Sequence, residues 1–80
     1  MFTFWQLRRS ANLFNVHVKV SLLCDAENKE ASVMICINGR IMPKSWAEPK
    51  WWEVDTPEKS KAWFQRIDMD SIAYNHRNAA

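Results

Sequence analysis

The chain has 80 residues, of which 48% are hydrophobic and 25% are charged, and its formal net charge is +2. This composition is that of a globular protein with one domain over residues 1–80, whose core is too small to enclose a large active site. The single glycine, Gly39, excludes glycine-rich phosphate-binding loops, and the weak charge does not by itself predict nucleic-acid binding.

The first segment, residues 2–14, fits two kinds of secondary structure. Apolar residues recur there at spacings of three and four, as on one face of a helix: Phe4, Leu7, Ala11 and Phe14. The start of the segment also alternates, which is typical of a short strand. We favour a short helix over residues 4–12 and keep the strand as the alternative.

Two strands are predicted next. Apolar and polar residues alternate from Val16 to Cys24, with β-branched residues on the apolar side, which predicts a strand over residues 15–24. After a polar loop, residues 31–37 predict a second strand with apolar side chains on both faces: Val33, Ile35 and Ile37 on one, Met34 and Cys36 on the other. Such a strand is either covered on both sides or leaves one side exposed for a partner.

The dipeptide Asn38-Gly39 predicts a type I′ hairpin turn, with Ile37 beside Arg40. The return strand over residues 40–42 is short because Pro43 cannot donate to a ladder.

A loop over residues 44–50, which carries Trp46, precedes a predicted last strand over residues 50–54. In that strand Trp52 and Val54 face the core, while Trp51 and Glu53 face the other side.

The end of the chain predicts helices. Thr56 is a suitable cap and Pro57 a suitable first residue for a helix that continues to Ile67. Asp68 or Asp70 can cap a second short helix, followed by a frayed tail at about residues 75–80. The fold class is therefore α+β, an antiparallel three- to four-stranded sheet with helices packed on one face. We expect its core to contain Val16, Val18, Val20, Val33, Ile35, Ile37, Trp52, Val54, Trp63, Phe64 and Ile67.

The compartment follows from the first residues and the cysteines. Arg8 and Arg9 come after a short apolar start, unlike a secretory signal, and no apolar run approaches the about 18 residues of a membrane helix. We expect a cytoplasmic protein without a membrane segment. If Cys24 lies opposite Ser32 and Cys36 opposite Val20, the two thiols are about 13 Å apart, so we expect them to be reduced.

No residue pattern predicts catalysis, a metal or a cofactor. His17, His76, Cys24 and Cys36 lack the spacing of a zinc site. Asp68 and Asp70 are better explained as helix caps than as an acid–base pair. We therefore expect a binding protein and not an enzyme.

Protein binding is the function that the residue types favour. The five tryptophans exceed what so small a core can bury, and tryptophan and arginine are the preferred hot-spot residues of protein interfaces. The candidate partner-binding residues are Trp46, Trp51, Met34, Ile41, Arg40, Lys44 and Lys50.

Two other interpretations stay open. A nucleic-acid-binding module would use basic residues, including Arg8, Arg9, Lys44 and Lys50, beside stacking tryptophans, although nearby acidic residues such as Glu48 and Glu53 oppose phosphate. A homodimer would form through an edge strand at residues 40–44.

Three short stretches carry a family resemblance: Ser10-Ala11-Asn12-Leu13, Ile37-Asn38-Gly39-Arg40, and Asp55-Thr56-Pro57-Glu58 followed by Ala62-Trp63-Phe64. In this order and spacing the chain resembles the small phage-encoded anti-CRISPR proteins that act on type I surveillance complexes. The resemblance implies a cofactor-free inhibitor in the cytoplasm of a bacterial host, which binds a CRISPR–Cas ribonucleoprotein complex where target DNA would pair. The resemblance does not identify any binding residue in this chain.

Overall fold

The structure, a computed structural model, describes residues 3–42 and 48–78. In chain order these form strands β1 (Phe4–Leu13), β2 (Val16–Asp25), β3 (Glu30–Ile37) and β4 (Arg40–Ile41), a 3₁₀ turn (Trp51–Glu53), and helices α1 (Pro57–Gln65) and α2 (Met69–Asn78). The strands form one antiparallel sheet in the order β1-β2-β3-β4. The predicted α+β class is confirmed.

The core lies on one face of this sheet because β2 and β3 bury alternate residues. In β2 the buried series runs from Val16 to Cys24, while His17 and Lys19 are exposed. The helices cover the same face and contribute the buried side chains of Phe64, Ile67, Met69 and Ala73. The prediction of helices packed on one face is therefore confirmed.

The predicted helix over residues 4–12 is wrong, because this segment is strand β1. All ten of its residues pair with β2, from Phe4 opposite Asp25 to Leu13 opposite Val16. Its alternate residues Trp5 and Leu7 are half-buried against the core. Pairing with an already alternating central strand outweighs the helical spacing, since tertiary context overrides weak local preference.

The β2–β3 register differs by one residue from the prediction. Cys24 lies opposite Ala31, and Cys36 lies opposite Lys19. Residues directly opposite share a face, so the predicted register would have turned the buried residues of β3 to the other face. Both cysteines are free, as expected.

The hairpin turn at Asn38-Gly39 is confirmed, since both residues have positive φ, 52° and 83°. Ile37 lies opposite Arg40 as predicted, and the return strand is short.

The predicted strand over residues 50–54 is also wrong. The backbone N–H of Val54 donates to the carbonyl of Trp51, which closes a 3₁₀ turn. Residues three apart lie on one side of such a turn, so Trp51 and Val54 both face inward. Trp52 points outward with 66% of its surface exposed, and its predicted place in the core is wrong.

Both helices begin at predicted caps. The Thr56 hydroxyl accepts from the Lys59 N–H at 3.1 Å, with Pro57 in the first helical position. Asp68 accepts from the N–H and the hydroxyl of Ser71, and the hydroxyl bond above all lowers the pKa of this carboxyl.

The helix ends differ from the prediction at both helices. Helix α1 ends at Gln65, two residues before the predicted end at Ile67. Helix α2 extends to Asn78, so residues 75–78 continue the helix beyond the start of the predicted tail. The Arg77 guanidinium donates to the carbonyl of Phe14, which ties this end of α2 to the β1–β2 turn.

The two neighbouring leucines of β2 test which face carries the core. Leu22 is fully buried, whereas Leu23 is half-buried on the opposite face. We expect Leu22→Ala to lower the free energy of unfolding by about 2–5 kcal/mol, through lost burial and the cavity left behind. Leu23→Ala, the matched control, should cost clearly less in urea unfolding. Equal losses would contradict the assignment of the faces.

Candidate interaction surface

The second face of the sheet carries none of the described helices. Residues that pair across strands share a face, so the register identifies its members. They are Phe4, Gln6, Arg8, Ser10 and Asn12 of β1, His17, Lys19, Ser21, Leu23 and Asp25 of β2, Glu30, Ser32, Met34 and Cys36 of β3, and Ile41 of β4. We call this the open face.

An apolar stripe crosses the open face diagonally and touches all four strands. We define the apolar stripe as Phe4, Leu23, Met34, Cys36 and Ile41. Cys36 lies directly opposite Ile41, Met34 is the next residue of β3 on this face, and Leu23 and Phe4 follow diagonally across β2 and β1. Phe4, Met34 and Ile41 are 58%, 39% and 67% exposed, and the other two are half-buried.

Polar groups surround the apolar stripe, and some are held by hydrogen bonds. The Arg8 guanidinium donates to Gln6 Oε1 at 3.1 Å, and His17 Nδ1 lies 2.9 Å from Asn12 Oδ1. Lys19 pairs with Cys36 in the ladder. The middle of the open face is therefore weakly basic.

Asp25 and Glu30 make one end of the open face acidic. The side-chain amide of Asn28 donates to Asp25 at 2.8 Å, and this bond above all lowers the pKa of the carboxyl. Asp25 is therefore a fixed anion near neutral pH.

The structure separates the residues that the sequence proposed for binding. Met34 and Ile41 lie together in the apolar stripe. Arg40 pairs with Ile37, so it shares the other face and stands at the margin of the sheet. Trp51 packs against Trp5, with ring centroids 6.1 Å apart, and Lys50 is exposed next to it. Trp46 and Lys44 lie outside the described residues.

A cleft of about 500 Å³ connects Trp51 to the Phe4 end of the apolar stripe. Phe4, Leu23 and Ser32 of the open face line one part of it, and residues 48–51 line another. Trp51 therefore borders the apolar stripe at one end but does not join Met34 and Ile41.

Phe4 and Leu23 are members of this surface that sequence reasoning missed. The helical spacing puts Phe4 on an apolar helix face, and only its place in β1 turns it outward. Leu23 occupies a position of the β2 alternation where the other residues are polar. An apolar residue at such a position is the sequence signal that this face carries apolar surface.

A separate pair of exposed aromatic rings lies at the opposite end of the molecule. Phe14 and Tyr74 meet edge to face, with centroids 5.7 Å apart. Phe14 has a φ of 53°, which is uncommon for a bulky residue and is favoured here by the two-residue turn with Asn15.

Reactive chemistry is sparse in the described ranges. No group of three or more metal-ligating side chains occurs in residues 3–42 and 48–78. Within the same ranges, neither helix has the length and hydropathy needed to cross a bilayer. Burial raises the pKa of the Cys24 thiol to about 11, which keeps this thiol protonated near neutral pH.

Comparison of the chain with protein-family models, with curated proteins and with solved structures found no significant match. The function is therefore inferred from the open face itself.

The two cysteines provide a chemical test of the faces. Cys24 is fully buried with a raised pKa, whereas Cys36 is half-buried in the apolar stripe. Because the thiolate is the reactive form, we expect iodoacetamide at about pH 8 to modify Cys36 first in the native protein. Mass spectrometry should find Cys24 modified only after unfolding. Faster labelling of native Cys24 would contradict the buried placement.

Proposed function

We propose that this chain is a small non-catalytic protein-binding inhibitor whose contact surface is the open face, centred on the apolar stripe. The observation that carries the proposal is the contiguity of the stripe across all four strands. A solvated face of an antiparallel sheet is ordinarily polar. Contiguous exposed apolar surface on a soluble chain is typical of an interaction site.

The size and shape of the surface favour a macromolecular partner. The open face spans four strands, two of them ten residues long, and the apolar stripe crosses it from β1 to β4. A broad face of this kind can contact a protein surface over many residues at once. Small molecules, in contrast, usually bind in concave pockets that surround most of their surface.

The composition of the open face also resembles a protein interface. Met34 supplies a flexible apolar side chain that adapts to a partner, and Arg8 and Lys19 belong to a polar rim around the stripe. Phe4 and Ile41, the most exposed members, are positioned to enter pockets on the partner.

Nucleic-acid binding is the weaker candidate for the same face. Arg8 and Lys19 are its basic residues, and Asp25 and Glu30 oppose phosphate at one end. Phe4 is the aromatic ring of the open face, whereas single-strand binding uses successive stacking platforms.

A narrower form of the proposal is a phage protein that blocks a bacterial CRISPR–Cas surveillance complex. Its support is the resemblance in the three sequence stretches, together with the open face, a surface suited to steric inhibition. The direct test is target-DNA binding by a purified type I surveillance complex. We expect loss of DNA binding at one equivalent of this protein, and unchanged DNA binding at large excess would contradict the narrower form.

Charge placed in the apolar stripe should abolish partner binding. A partner is first captured from the expressing cells and purified, and its Kd is then measured with each variant. We expect Met34→Glu to raise the Kd at least about tenfold, because a carboxylate would be desolvated in the interface. Trp52→Gln is the control, since Trp52 is more exposed than Met34, 66% against 39%, but lies outside the open face.

Protection of Cys36 gives a second readout in the same experiment. A partner seated on the apolar stripe should slow the alkylation of Cys36. Loss of binding in Trp52→Gln, with Met34→Glu unaffected, would place the contact elsewhere. Oligonucleotide binding that falls steeply with salt, without a captured protein, would favour the nucleic-acid function instead.

A further inference from the structure

The outer edge of β1 presents a continuous row of backbone hydrogen-bonding groups. The two-residue turn at Phe14-Asn15 makes Leu13 and Val16 a hydrogen-bonded pair, and such pairs then alternate along the ladder. The N–H of Ala26 donates to the carbonyl of Thr3 at 2.8 Å, which continues this alternation. The outward N–H and C=O groups therefore belong to Phe4, Gln6, Arg8, Ser10 and Asn12.

We propose that this edge binds an extended segment of another protein as an added antiparallel strand, with an acidic residue of that segment facing Arg8. The inference deepens the proposed function, on which it rests, by stating the conformation and chemistry of the partner. When a strand is added to a sheet, the backbone hydrogen bonds provide affinity. The side chains at alternate positions of the added strand provide selectivity.

The length and regularity of β1 favour docking over mere protection of the edge. The strand pairs with β2 over ten residues without a bulge and contains no proline, and bulges and prolines are two of the features that protect an edge from pairing. At the other margin of the sheet, β4 has only two residues. An added strand therefore finds its longest template at β1.

The charge on the edge selects the partner. Arg8 is exposed on the open face, and a residue directly opposite it in a hydrogen-bonded pair would be about 5.5 Å away between Cα atoms. Arg9 lies on the covered side, where Nε contacts Met69 Sδ at 3.2 Å and Nη2 donates to the Ile67 carbonyl at 3.4 Å. Arg8 is thus the cation that β1 itself presents to a carboxylate on the open face, whereas Lys19 lies one strand further in.

A second copy of the chain is disfavoured at this edge by the same geometry. Two β1 edges can pair antiparallel so that all their outward N–H and C=O groups bond to each other. In that register Phe4 lies opposite Asn12 of the second copy, and Gln6 lies opposite its Ser10. Arg8 then faces Arg8 of that copy directly. Like charges in directly opposed positions are destabilising, so the row selects against self-pairing.

A small groove beside the edge indicates which side chains the added segment carries on the side that faces the helices. It has a volume of about 220 Å³ between β1 and the start of α2. Ala11, Leu13 and Met69 supply apolar walls, Asp68 and Asp70 supply carboxylates, and Arg9 supplies a guanidinium that already contacts Met69 Sδ and the Ile67 carbonyl. Residues of an added strand that point toward the helices would meet this groove, where apolar side chains fit and the two carboxylates oppose an acidic one. The segment is therefore amphipathic, with its acidic residue confined to the open-face side.

The experiment uses nine-residue peptides of alternating threonine and valine, with glutamate or lysine at the central threonine-side position. N-methylation at the valines blocks self-association of the peptides but leaves the edge toward β1 intact. We expect the glutamate peptide to bind at least about fivefold more tightly than the lysine peptide. It should also slow amide exchange at Gln6, Arg8 and Ser10, measured by NMR.

Two variants and one further peptide serve as controls. Arg8→Glu should reverse the preference between the peptides, whereas Arg40→Glu, a matched charge reversal at the β4 margin, should not. N-methylation at the threonine-side positions should abolish binding, because those N–H groups face β1.

Equal affinity for the two charged peptides, or unprotected β1 amides, would overturn the proposal. A concentration-dependent dimer with the same amides protected would make a second copy the occupant instead. Met34→Glu should not weaken peptide binding, since the apolar stripe at Met34 is separate from the edge. Failure of the peptides while Met34→Glu still abolishes partner binding would remove this inference and leave the proposed function standing.

Discussion

The structure depends on β2, the strand that is paired on both sides and buried on one. Its buried series from Val16 to Cys24 accounts for most of the fully buried side chains, and β1 and β3 take their faces from it through the pairing register. A shift of one residue in either pairing would expose a row of apolar side chains. That cost determines which residues of the sheet lie beneath the helices and which form the open face.

Residues with a strong local signal were predictable from sequence, and residues whose position depends on a neighbour were not. A pattern of a few neighbouring residues is enough to predict three features: the strand β2, the Asn38-Gly39 turn and the helix cap at Thr56. Strand β1 has a mixed pattern and becomes a strand only because β2 offers an edge. For the interaction surface, Met34 and Ile41 followed from the alternation, while Phe4 required the correct structure of β1.

The tryptophans show why composition alone located the surface poorly. Their number indicates excess apolar surface, but among the tryptophans that the structure describes the exposed ring is Trp52, which the alternation places in the core, while Trp51 packs against Trp5. A strand would turn Trp52 inward and Trp51 outward. The 3₁₀ turn does the opposite, because its side chains repeat every three residues and not every two. The apolar surface of the open face consists instead of Phe4 with aliphatic and sulfur-containing side chains.

The open face and the free edge of β1 have a common physical origin. Two helices of nine and ten residues cover one face of a sheet whose long strands have ten residues, and no third described helix covers the other. A partner strand paired with β1 would continue the sheet, and a partner surface packed on the apolar stripe would cover the open face. One extended partner can therefore satisfy both the backbone groups of the edge and the apolar side chains of the face.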